Sequence, residues 1–93
     1  MASPQAQQMV EEMANILKQR RIAIKASMNG LAAASYLDRA ALHRAENGER
    51  IPSLPFWIDW ADTLGVSLEI VIAEARDRTG KTAGKEPDRK PLG

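Results

Sequence analysis

The sequence contains no cysteine, which excludes disulfides, thiolate metal sites and cysteine nucleophiles. That fits a reducing compartment. Aromatic residues are few: Tyr36, Phe56, Trp57 and Trp60. Histidine occurs once, at His43. Long hydrophobic runs are missing; a run such as residues 70–73 is far too short to cross a bilayer. The opening Met-Ala-Ser-Pro-Gln lacks the basic-then-apolar pattern of a signal peptide. The expectation is therefore a cytoplasmic protein with no membrane partner. No pattern repeats at a fixed period, which excludes a solenoid.

What is present is ordinary in bulk and informative in its arrangement. The chain has 93 residues, of which 44% are apolar and 27% charged. That suits one small soluble domain and is too apolar for full disorder. A chain this short needs a compact core, which points to helices. The net charge of +1 selects no partner by itself. Its distribution is uneven, at +2 over residues 1–26, 0 over 27–53, −4 over 54–77 and +3 over 78–93. An acidic back with basic ends suits a protein that turns one face to a polyanion.

Capping residues and apolar spacing predict five helices. Ser3-Pro4 reads as an N-cap and first helical position, and Met9, Met13, Ile16, Leu17 and Ile24 then recur at helical spacing to about residue 24. We read this stripe as core. Ser27 caps a short second helix through Ala34, with Leu31 and Ala32 inward. Tyr36-Leu37 is a tight turn. Asp38 caps a third helix from Arg39 to about Asn47, and Gly48 stops it in the left-handed conformation. Ser53 caps a fourth helix, with Leu54, Trp57, Ala61 and Leu64 on one face and Trp60 on its flank. Ser67 caps a fifth, with Leu68, Val71, Ile72 and Ala75 inward. The domain spans residues 1–77, and the composition of residues 78–93 predicts a disordered basic tail. Its Lys81, Lys85, Arg89 and Lys90 would add nonspecific affinity for phosphates.

Enzymatic chemistry finds little support. No second histidine or spaced carboxylate set accompanies His43 to bind a metal. Gly80-Lys81-Thr82 resembles the end of a phosphate-binding loop only superficially, because Ala75 stands where its upstream glycine is required. The expectation is a non-enzyme without cofactor or metal.

Residues 27–48 describe two short helices joined by a tight turn, the second ending Arg44-Ala45-Glu46-Asn47-Gly48. Ile51-Pro52-Ser53-Leu54 follows, and then Ala61-Asp62-Thr63-Leu64-Gly65-Val66-Ser67. Over about residues 13–76 this resembles the lambda repressor and Cro family, also called the XRE family. The resemblance implies an all-α, five-helix domain carrying a helix-turn-helix. It implies that Leu31 and Ala32 sit where the two short helices touch, that Leu42 is the core position of the recognition helix, and that Arg21 pairs with Glu46. A carboxylate near a helix C-terminus opposes the dipole and needs a cation, and arginine can hold it bidentately. Three positions depart from the family. Tyr36 occupies a turn position usually held by glycine, so the turn is either strained by about 1 kcal/mol or differently built. Met28 replaces a common phosphate-binding glutamine. Ala45 replaces a larger aliphatic residue, leaving space that Trp57 or Trp60 would fill.

The resemblance also implies sequence-specific binding to double-stranded DNA on a near-palindromic operator by a homodimeric regulator, most simply a repressor of its own or neighbouring genes. The base-reading candidates are Arg39, Ala40, His43 and Arg44. The phosphate-binding candidates are Ser27, Met28 (through its backbone N–H), Asn29, Asn47 and Arg50. Phe56, Ile58 and Ile70 lie outside the inward stripes and are candidates for the dimer interface. The alternative is a protein-interaction module, antitoxin-like or an anti-activator, that keeps the fold and binds DNA weakly, a reading that the modest charge and Tyr36 leave open.

Overall fold

A computed structural model describes residues 2–82, which form five helices and no strand. They are α1 (Pro4–Ala23), α2 (Met28–Ala34), α3 (Arg39–Glu46), α4 (Leu54–Thr63) and α5 (Leu68–Thr82). Three helix starts are made by side chains. Ser3 Oγ accepts from Ala6 N–H, Ser27 Oγ from Gly30 N–H, and the Asp38 carboxylate from Ala41 N–H. Ser53 has the extended cap conformation, but its hydroxyl makes no cap hydrogen bond. Ser27→Ala and Asp38→Ala should therefore each cost about 1 kcal/mol, and Ser53→Ala much less. Urea unfolding of the three variants measures this, and equal losses would contradict it.

Three helix ends share one hydrogen-bond pattern. At α1, α3 and α4 the residue after the C-cap bonds back to the second-last carbonyl region, and the next residue reaches one further back. The pairs are Lys25 N to Ile22 O with Ala26 N to Arg21 O, Gly48 N to Ala45 O with Glu49 N to Arg44 O, and Gly65 N to Asp62 O with Val66 N to Ala61 O. The pattern requires a left-handed residue. Gly48 (φ 76°) and Gly65 (φ 77°) supply it freely, whereas α1 uses Lys25 (φ 59°). A side chain there costs roughly 1–2 kcal/mol.

The core gathers one face from each helix. Ile16, Leu17, Leu42, Trp60 and Val71 are its most enclosed large side chains. Met9, Met13, Leu31, Trp57, Leu68 and Ala75 complete much of the rest. Trp57 stacks on Trp60 at 5.2 Å, and Phe56 meets Trp60 edge-on at 6.1 Å. Trp60 is thus the centre of the α4 contact rather than its flank. Its Nε1 has no acceptor among the described residues, a deficit the surrounding aromatic packing has to outweigh. The buried face of α4 is wider than the expected one: Trp57, Ala61 and Leu64 are buried as expected, Phe56 joins them, and Leu54 is 63% exposed. Ile24 and Ile72, expected inward, are exposed as well.

Helix α5 lies antiparallel along α1. Glu74 is 3.8 Å from Arg20, Arg78 is 3.1 Å from Glu12, and Thr79 Oγ1 is 3.5 Å from Met9 Sδ. These contacts carry α5 to Thr82, so residues 78–82 are helical where composition predicted tail. Lys85, Arg89 and Lys90 lie outside the described residues. Among those described, no helix is long and apolar enough to cross a membrane.

Candidate nucleic-acid interface

Helix α3 divides cleanly by its own period. Ala41, Leu42, Ala45 and Glu46 are buried, while Arg39, Ala40, His43 and Arg44 are exposed. The two sets alternate in pairs, as a 3.6-residue repeat demands of a helix with one buried stripe. The four base-reading candidates therefore share the outward face. Arg39 occupies the first position of α3, and no acidic residue lies in that helix's first turn. A cation there opposes the positive helix end, so local helix stability does not explain it.

The inward face is fixed in two ways. Leu42 is wholly enclosed, and Leu31 of α2 is buried in the same cluster. In addition, Glu46 accepts from Arg21 Nε and Nη2, both at 2.8 Å. The Glu46 side chain is only 5% exposed and that of Arg21 17%. The hydrogen bond to Glu46 is the main influence raising the Arg21 pKa, with its burial acting the other way. Arg21 Nη1 also donates to Ala26 O at 2.9 Å. One guanidinium thus ties together the end of α1, the segment leading into α2 and the last turn of α3.

The turn between α2 and α3 avoids the left-handed conformation. Lys25 is the only described non-glycine residue with positive φ, so Tyr36 is not strained in that way. A serine builds the turn instead. Ser35 is extended (φ −121°, ψ 178°), its N–H donates to Ala32 O, and its Oγ accepts from Leu37 N–H at 3.2 Å. Leu37 packs against the core, and Tyr36 stands 99% exposed.

The phosphate-binding candidates differ in freedom. Ser27, Asn29, Asn47 and Arg50 are exposed, and Met28 is half-buried with its side chain against the core. Ser27 Oγ accepts from Gly30 N–H, which leaves its O–H free to donate outward. Asn47 Nδ2 lies 3.3 Å from His43 Nε2, joining a base-reading candidate to a phosphate candidate. The Arg50 guanidinium sits 5.5 Å from the centre of the Phe56 ring, so its orientation is restrained by an aromatic face. Phe56 itself is buried against Trp60 and is withdrawn from the surface candidates. Ile58 and Ile70 remain on the surface, 41% and 54% exposed.

A family model described as Helix-turn-helix (HTH_3) matches residues 17–71 of the 93. No curated protein and no solved structure matches the chain.

Proposed function

The chain belongs to the helix-turn-helix family of lambda repressor-like DNA-binding regulators, and from that premise we propose that it is a homodimeric repressor. It binds a near-palindromic operator in its own or a neighbouring promoter. The observation that carries this reading is the exposed Arg39-Ala40-His43-Arg44 face on a helix clamped from behind by Arg21 and Glu46. Arg39 and Arg44 have the fork geometry that reads guanine O6 and N7 in the major groove. Ala40 suits a thymine methyl, and His43 either a base edge or a phosphate. Ser27, the Met28 N–H, Asn29, Asn47 and Arg50 hold the DNA backbone and set register.

One such motif contacts too few base pairs for high specificity, so two copies on a dyad are expected. Leu54, Ile58, Ile70 and Ile72 give α4 and α5 an apolar surface for that pairing. A gel mobility-shift series from 50 to 200 mM salt tests the function, using duplexes from upstream of the protein's own coding region. Expected is one duplex that resists a large excess of mixed-sequence competitor, with affinity falling steeply as salt rises. Equal competition by every duplex would contradict a specific operator.

A further inference from the structure

Three helices of this chain end in the same left-handed motif, and only one of them lacks glycine. Gly48 and Gly65 show what that motif requires when nothing else is asked of the position. Lys25 carries a side chain there against the backbone preference. Its ammonium is not used inside the fold: Lys25 is exposed and forms no ion pair or side-chain hydrogen bond among the described residues. The favourable end of the α1 dipole is one use for a cation, but Arg20 and Arg21 already occupy that last turn.

We propose that Lys25 is an anchor for the phosphodiester backbone of DNA, held in register with α3 by the Arg21 clamp. The inference rests on the DNA-binding reading above. Lys25 precedes Ala26, whose carbonyl accepts from Arg21 Nη1 at 2.9 Å, while the same guanidinium holds Glu46 at 2.8 Å. The root of the lysine is thereby fixed relative to the last turn of the exposed helix. A fixed left-handed turn projects the flexible stem from a defined point, and the ammonium then acts as a point charge on phosphate. Strain retained at an exposed, unpaired cation is the pattern expected where function opposes stability.

The test pairs folding with binding in Lys25→Gly and Lys25→Arg. Lys25→Gly should raise Tm by a few degrees, because glycine relieves the left-handed backbone. The same variant should bind a mixed-sequence duplex more weakly, with its base preferences unchanged. Each protomer loses one phosphate contact, which reduces the salt slope by about 0.9, so the wild-type advantage should shrink about 3.5-fold per protomer, or about 12-fold per dimer, between 50 and 200 mM salt. Lys25→Arg should restore affinity and slope. Unchanged affinity and slope in Lys25→Gly, with a wild type that binds, would overturn the anchor alone. A wild type that binds no duplex would overturn both the anchor and the DNA-binding reading beneath it.

Discussion

Replacing Arg21 with alanine should destabilise the domain by about 3 kcal/mol, more than replacing Glu46. The two partners are unequally placed, as the Glu46 side chain is 5% exposed and that of Arg21 17%. Without Arg21, an almost enclosed carboxylate is left unpaired at the negative end of α3, and Ala26 O loses its donor as well. Without Glu46, the guanidinium keeps Ala26 O and reaches water more easily. The double variant should therefore lose less than the sum of the singles, with a coupling energy of about 1–3 kcal/mol. Because the hydrogen bond to Glu46 raises the Arg21 pKa, the stability it adds is fully present below the unfolded-state value and is lost only as pH rises through the raised folded one, in the strongly alkaline range. The deficit of Arg21→Ala should accordingly persist at neutral and mildly alkaline pH. Chemical denaturation of the four proteins measures the cycle, and strict additivity would show that the pair is not a unit.

Arg39→Ala and Arg44→Ala should each weaken binding to the best DNA site by about 1–3 kcal/mol and weaken binding to mixed-sequence DNA far less. Both side chains are exposed and neither supports the core, so the fold should be retained. The direction of the stability change separates them. Arg39 sits at the positive end of α3, so its removal should leave stability unchanged or slightly higher. Arg44 lies in the last turn, where a cation is favourable, so its removal should cost a few tenths of a kcal/mol. Titration of each variant against the specific and mixed duplexes measures the difference. Equal losses on both duplexes would assign the side chain to phosphate rather than to bases.

Local punctuation made most of this fold legible. Ser3, Ser27 and Asp38 cap the helices their positions indicated, and Asn47-Gly48 ends α3. The outward residues of α3 came from the family resemblance, and the helical period accounts for their sharing one exposed face. Helix α4 was harder because its apolar residues form two overlapping stripes, Leu54-Trp57-Ala61 and Phe56-Trp60. Both go inward except at Leu54: Trp57 and Ala61 are buried together with Phe56 and Trp60. A single-stripe reading leaves out Phe56, whose ring packs edge-on against Trp60 and which is thereby removed from the interface candidates. Ile24 broke the α1 stripe because the helix has already ended and turns left-handed at Lys25. Nothing in the sequence marks a lysine for that conformation, where glycine or asparagine would have been conspicuous. The extension of α5 through Thr82 rests on Glu12 and Met9, remote in sequence and invisible to local composition.

The exposed face of α3 is proposed to read bases, twice, about a dyad. Binding selection from randomised duplexes tests it most directly, with wild type, Arg39→Ala and Arg44→Ala run side by side. The wild type should enrich a near-palindrome whose half-site centres lie about one helical turn, ~10 base pairs, apart. Each variant should relax one base pair per half-site, at positions mirrored across the centre. Identical enriched sequences from all three proteins would contradict α3 as the reader, and relaxation on one side only would contradict the symmetric dimer.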